Sequence, residues 1–305
     1  MMGISIIVCF HNSERTISNC LDSIMNQNIE NDDIESELIL VDNNSKDNSR
    51  QIAENKLSAD WPIPIKILTE EKQGLMNARK KGVLNAKYQY ILFVDDDNYI
   101  KADFILNASK ILKSNKNIGV LAGESKLPQE SKLNNSHLFT KNSKLFAVGS
   151  QAEADGFVKV SHFWGAGLML ERSLIKNFFE KKYNFRNTGR VGKSLSSGDD
   201  REICLIYRYF KKRFYYSSSL MLYHDVDYSR ISIGKVRRLR EAVRKSNRKL
   251  GAYEAVIEIY KEDFTSIISF ILKSPSSLRY KTRTIFYYVL GGMMLHRKLS
   301  LMDNY

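Results

Sequence analysis

The chain has 305 residues, 43% hydrophobic and 27% charged, which suits one large α/β domain or one domain with an appendage. Four prolines and no low-complexity tract exclude extensive disorder. The net charge of +13 points to a phosphate-bearing partner, whether nucleotide, nucleic acid or anionic membrane face, without choosing among them.

Residues 4–10 (ISIIVCF) form a continuous apolar run, the pattern of a strand buried on both faces of a parallel sheet. The run begins so early that no signal peptide is expected. His11-Asn12-Ser13 supplies a loop. Ser13 with Glu14-Arg15, followed by the periodic Ile17, Cys20, Leu21 and Ile24, predicts a capped amphipathic helix. Residues 37–41 (ELILV) are a second strand. It ends in Asp42-Asn43-Asn44-Ser45, a turn rich in side chains that bond local backbone. A helix over 48–56, a poorer strand over 63–69 and a helix over 74–86 carrying Arg79, Lys80 and Lys81 follow. Cys9, Cys20 and Cys204 are odd in number and far apart, and read as reduced thiols rather than a disulfide framework or zinc site.

Residues 91–94 (ILFV) make the next strand, and Asp95, Asp96 and Asp97 arrive together where it should end. Three adjacent carboxylates repel one another and are costly to desolvate. A hard divalent cation, its coordination completed by a nucleotide diphosphate, relieves that repulsion. The plainer alternative is a solvated acidic turn leading into a helix over 102–112. The β-α alternation predicts a mostly parallel sheet covered on both faces. Ligands of such sheets sit beyond the carboxyl ends of the strands. His11, Asp42 and the three aspartates all fall at such ends. No Gly-x-Gly-x-x-Gly or phosphate-loop motif follows the first strand.

Residues 126–143 are polar and predict a loop or flap. Trp164-Gly165-Ala166-Gly167 precedes the apolar Leu168-Met169-Leu170; its small residues either admit a ligand close to the backbone or make a tight turn before a strand. Gly198-Asp199-Asp200 opens a helix with Ile203, Ile206, Tyr207 and Phe210 at helical spacing, so the two acids also serve as ordinary dipole partners there. A strand over 220–223 runs into His224-Asp225. Beyond Tyr228 the chain reads as helical and basic, with Arg237, Arg238, Arg240, Arg244, Lys245, Arg248 and Lys249 in one segment. Residues 285–295 read as an amphipathic closing helix, too short to span a membrane. The charge run suits a solvated face, an oligomer interface or an anionic membrane surface. Three regions result: 1–125, with the alternating strands and the acidic strand end; 126–228, with the Trp-Gly-Ala-Gly segment and the second acidic pair; and 229–305, basic and helical.

Taken in order, ISIIVCFHN, ELILVDNNSKDNS, GLMNARKKG, YILFVDDDNYI, WGAGLMLER, SSGDDREICL and LYHD resemble the family 2 glycosyltransferases of the GT-A fold. The resemblance runs from Ile4 to Arg230. It implies a Rossmann-like, mostly parallel sheet with helices on both faces, plus a C-terminal helical extension. It also implies inverting transfer of a sugar from a nucleotide-sugar, a UDP-sugar being expected, with Mg2+ or Mn2+. The acceptor is expected to be a hydroxyl of a glycan or lipid-linked sugar in surface polysaccharide synthesis, at the cytoplasmic side of a membrane that the protein contacts peripherally. By position, Phe10, Asn12, Asp42, Arg79, Asp95 and Asp96 fall to the nucleotide, and Asp97 and His224 to the metal. Asp200 falls to the general base, with Asp199 as a substitute. Trp164, Gly165, Ala166 and Gly167 fall to the acceptor.

The chain departs from the family pattern at Phe10, where Thr is usual, at Asn43-Asn44, and at Asp199, where Glu is usual. Two rival classes are a metal-dependent nucleotidyltransferase and a nucleic-acid-binding protein. The first calls for a Gly-rich turn where His11-Asn12-Ser13 stands. The second is disfavoured by an acidic crevice and by aromatics that form no obvious stacking platform, so no nucleic acid partner is expected.

Overall fold

The computed structural model describes residues 3–29, 35–57, 61–181, 183, 185, 187, 189 and 198–261, with 252–261 as helical backbone. β1 (Gly3–Phe10) has every residue buried except Cys9, as an unbroken apolar run demands. It lies between β2 (Glu35–Asp42) and β4 (Tyr90–Asp95), and β3 (Ile65–Thr69) extends the edge beyond β2. All three of these pairings are parallel. The crossovers are α1 (Ile17–Met25), α2 (Ser49–Lys56) and α3 (Leu75–Asn85).

Past β4 the sheet becomes mixed. β5 (Asn98–Ile100) and α4 (Phe104–Ser114) lead to β6 (Ile118–Lys126). Then come α5 (His137–Thr140), β7 (Gly156–Val158), β8 (Leu168–Glu171), α6 (Arg172–Glu180), α7 (Asp199–Tyr209), β9 (Arg213–His224) and α8 (Ile233–Lys261). β8 runs antiparallel between β4 and β6. β9 is parallel to β6 and antiparallel to β5 and β7. Among the described residues the order is β3-β2-β1-β4-β8-β6-β9-β5, with β7 on β9.

Alternation along β1 divides the core. Ile7 joins Phe93, Ala78, Phe178 and Ile203 on the face covered by α3, α6 and α7. Ile6, Val8 and Phe10 join Leu21, Leu40 and Phe104 on the face covered by α1, α2 and α4. The polar stretch after residue 126 is more ordered than its composition suggests. Its helical turns send Leu133, Phe139, Phe146 and Val148 into a third cluster with Val226 and Val236 at the start of α8.

Ser13 is also not the cap expected of it. α1 begins at Ile17 after Thr16, and the Ser13 hydroxyl is directed to Asp96. The strand expected over 220–223 is the end of the much longer β9. Cys9, Cys20 and Cys204 are free thiols. Among the described residues no helix is long and apolar enough to cross a membrane. The amphipathic segment over 285–295 lies outside the described residues.

Candidate active site

The carboxyl ends of β1, β2 and β4 open into a cavity of about 510 Å³, closed on the other side by the segment before β8, by the start of α7 at Gly198 and by α8. Phe10, Arg79, Asp95, Asp96, Asp97, Trp164, Gly165, Ala166, Asp199, Asp200 and His224 all line it. Asn12, Asp42 and Gly167 do not. Asn12 takes a left-handed φ of +54° and its Oδ1 accepts from Lys46 N at 2.8 Å, while Asp42 Oδ1 accepts from Ser45 N at 2.9 Å. These two knit together the loops after β1 and β2. Gly167, at φ +68°, donates its N–H to Phe93 O at 2.9 Å and so starts β8 beside β4.

The three adjacent aspartates face different partners, which lessens their mutual repulsion without removing it. Asp95 Oδ1 accepts from Arg79 Nη2 at 3.2 Å. Asp96 accepts from the Ser13 hydroxyl and from His11 N. Burial, then the charge of Asp97, pushes the Asp96 carboxyl up to about 7, against the Ser13 hydrogen bond. Asp97 Oδ2 lies 3.3 Å from His224 Nε2 and 3.9 Å from Arg230 Nη1. The β5–β9 register brings Asp97 to this place, because Asn98 pairs with His224 and Asp225 N donates to Asp97 O.

Arg79 is 2% exposed and joins the two halves of the site. Its Nη1 donates to Asp199 Oδ2 at 2.7 Å, across from the bond to Asp95, and its guanidinium carbon sits 4.8 Å from the centre of the Phe93 ring. Burial works against its charge, and Asp199 and Asp95 outweigh it. Gly165 makes room for this side chain: a Cβ there would lie 2.6 Å from Arg79 Nη2. The close approach that the small residues of the Trp-Gly-Ala-Gly segment permit is therefore that of Arg79 at Gly165, and of Leu222 at Gly167.

α7 starts from Gly198 at φ +93°, which turns Asp199 and Asp200 into the cavity while Ile203 and Ile206 anchor the helix below. Asp199 is buried against Arg79. Its carboxyl is raised to about 6 by burial, with Arg79 opposing and the charge of Asp200 adding. Among the described residues, Asp200 accepts only from backbone, from Gly165 N at 3.0 Å and Arg201 N at 2.7 Å. Burial also lifts its pKa above the ordinary aspartate value, against Arg79 and these two donors.

Among the described residues no three His, Cys, Asp or Glu side chains are disposed to hold a metal by themselves. Asp97 and His224 nevertheless fit a shared hard cation. Asp97 Oδ2 and His224 Nε2 lie 3.3 Å apart on the cavity wall, a carboxylate oxygen and an imidazole nitrogen that one ion can share. Two protein ligands leave most of a cation's coordination to other oxygens, such as those of a diphosphate.

Among the further lining residues, Asn43 bonds backbone as its turn predicts, whereas Arg230, Lys144, Val243 and Asn247 were not tied to the site by the sequence. Asn43 donates to Glu70 O and Lys72 O and accepts from Gly74 N, fixing the loop that leads into α3. Arg230 lies between Asp97 and the Phe146 ring, and Lys144 lines the wall made by the third cluster. Val243 and Asn247 of α8 also reach the cavity. Their signal is the apolar stripe Val236, Leu239, Val243 and Leu250, hidden among basic residues.

A parallel half-sheet with carboxylates at its strand ends, closed by a mixed half that carries a second acidic pair, is the GT-A architecture. S. aureus TarS 1–349, solved with UDP-GlcNAc, matches with a TM-score of 0.57 at 17% identity over 94% of this chain and 72% of that one. The mannosyltransferase PcManGT from Pyrobaculum calidifontis, solved with GDP-Man and Mn2+, matches with a TM-score of 0.53 at 15% identity over 99% and 88%. These likenesses show the fold. The chain belongs to glycosyl transferase family 2, whose model matches residues 5–179. It is 37% identical over 125 residues to the poly(ribitol-phosphate) beta-glucosyltransferase of Bacillus spizizenii, 40% of this chain and 19% of that protein. The chain spans less than a third of the length of the curated relatives it matches.

Proposed function

We propose that the chain is an inverting glycosyltransferase, moving a sugar from a nucleoside-diphosphate donor to a hydroxyl of a glycan or lipid-linked acceptor in surface polysaccharide synthesis. The observation that carries this reading is the meeting of two acidic groups in one cavity, Asp95, Asp96 and Asp97 from β4 and Asp199 with Asp200 from α7, across the buried Arg79. A UDP-sugar is the proposed donor, since TarS 1–349 was solved with one. Synthesis on a lipid carrier places the enzyme at the cytoplasmic face of a membrane.

The donor's nucleotide lies against Phe10, Arg79 and the first two aspartates of the strand end, while Asn12 and Asp42 act behind it by holding the loops after β1 and β2. Asp97 and His224 hold Mg2+ or Mn2+, which when bound supplies positive charge against the diphosphate. Arg230, beside Asp97, adds a fixed cation as the diphosphate leaves. The acceptor enters past Trp164, Gly165 and Ala166, and Asp200 takes the proton of its attacking hydroxyl. A raised pKa makes Asp200 a stronger base than a solvated aspartate. Asp199 is already engaged by Arg79 and is assigned to positioning. Direct attack on the face opposite the leaving group inverts the anomeric centre and needs no protein nucleophile.

Thermal-shift titration with UDP, GDP, dTDP and CDP, each with and without Mn2+, tests this. A ligand that binds only the folded state raises Tm by mass action. The expected result is a metal-dependent shift with UDP that Asp97→Asn abolishes. No shift with any nucleotide rejects the reading.

A further inference from the structure

The outer face of α8 matches none of the chemistry of the cavity. Successive residues turn by about 100° around a helix, and α8 divides sharply on that basis. Val236, Ser246 and Leu250 are buried, and Val243 and Asn247 reach the cavity. The opposite face carries Arg237, Arg238, Arg244, Lys245, Arg248 and Lys249, all exposed, with Glu241 the one acid between Ile233 and Gly251. No carboxylate of the described residues forms an ion pair with these six cations. Helical spacing puts Ile233 on this same face, in line with Arg237, Arg244 and Arg248. Ile233 is 78% exposed, and Tyr228, in the turn just ahead of the helix, is 59% exposed. They are the two most exposed large apolar side chains among the described residues.

We infer that this face of α8 docks on an anionic lipid surface, with Ile233 and Tyr228 entering the headgroup region and the basic stripe lying along it. Each half of the feature selects against another partner. Like charge along the stripe opposes self-association of two copies. Isolated apolar side chains at one end gain nothing from a phosphodiester backbone, whereas an aliphatic and an aromatic residue beside a basic helix suit the boundary between headgroups and acyl chains. Docking has a further consequence, because the inner face of the same helix walls the cavity. The cavity is thereby held one helix diameter from the headgroups, about 10 Å.

Sedimentation of the full chain with vesicles of phosphatidylcholine, with and without phosphatidylglycerol, tests the inference without reference to catalysis. Retention is expected only on the anionic vesicles. It should weaken as salt rises from about 0.1 M to about 1 M, where the screening length shrinks from about 10 Å to about 3 Å. Arg244→Gln with Arg248→Gln should lower partitioning about 25-fold. Ile233→Ser should lower it about tenfold, with a loss that persists at high salt. Both variants should keep the wild-type Tm, since none of these side chains is buried. Equal retention on neutral and anionic vesicles overturns the inference, as does retention that neither variant changes. Retention on duplex DNA that survives Ile233→Ser, without vesicle binding, also overturns it.

Discussion

A guanidinium buried between two carboxylates is stable only as a set. Arg79 satisfies Asp199 at 2.7 Å and Asp95 at 3.2 Å, and removing it leaves Asp199 in the core without its cation. Breaking a buried pair from one side typically costs about 3–5 kcal/mol. Arg79→Ala should lose stability on that scale at neutral pH by denaturant unfolding. Lowering the pH should recover part of the loss. Asp199 has its pKa raised to about 6 with Arg79 present, and higher without it, and once protonated it no longer needs a cation. Arg79→Ala combined with Asp199→Asn should be more stable than Arg79→Ala alone, and a double variant no better than the single one would exclude the pairing as the cause. Asp200, held by backbone donors, predicts a different signature. Asp200→Asn should keep the wild-type Tm within experimental scatter and lower transfer by about 10²–10⁴-fold. In the wild type, kcat/KM should fall on the acid side at a pH above the ordinary aspartate value of about 3.9, because the base works only when ionised and burial lifts its pKa. The identities of these residues were legible in the sequence, because acids at strand ends and helix starts are visible there. Their division of labour was not. Nothing in the Ala-Arg-Lys-Lys run shows that Arg79 points inward to carboxylates 16 and 120 positions away.

Elements of this fold are held together where backbones come close, and glycine marks the place. Between β6 and β9, a Cβ on Gly123 would sit 1.7 Å from Leu220 O, so any larger residue must part the two strands. Gly251, inside α8, has none of the described residues within 4 Å of where a Cβ would lie. Gly123→Ala should therefore destabilise the protein by about 3 kcal/mol or prevent soluble expression, a cost of overpacking against backbone that cannot repack. Gly251→Ala should stabilise it by up to about 1 kcal/mol through helix propensity. Opposite shifts in Tm are the expected result, and shifts of the same sign would contradict this account of the strand pairing. The first four strands and their crossovers were legible because unbroken apolar runs such as ISIIVCF and ILFV leave one option, a strand buried on both faces. The mixed half was less so. β9 carries Ser217, Ser218 and Ser219 in its middle; they fall in an irregularity of the β6–β9 ladder between Tyr216 and Met221, and pairing on either side of them keeps the strand in one sheet.

The described residues form two large apolar layers on the sheet and a third, smaller cluster that shares no buried residue with them. That third cluster binds the helical turns after β6 to the start of α8, and both carry residues of the cavity wall, Lys144 on one side and Val243 on the other. A small cluster remote from the main core is a candidate unit of local opening, with a free energy below that of global unfolding. Phe146 lies at its centre, buried, 5.6 Å from the Phe139 ring and under Arg230. Phe146→Ala should remove about 3–5 kcal/mol from the packing of this unit alone. Hydrogen exchange should then quicken at least about a hundredfold for amides of the turns at Lys132–Asn135 and Ser143–Phe146. Amides of β1, β2 and β4 should keep their wild-type rates, since none of their contacts changes. If instead all three strands speed up together with the turns, the three clusters form one cooperative unit. The wall of the cavity would then be as rigid as its floor, and movement of that wall could not be what admits an acceptor.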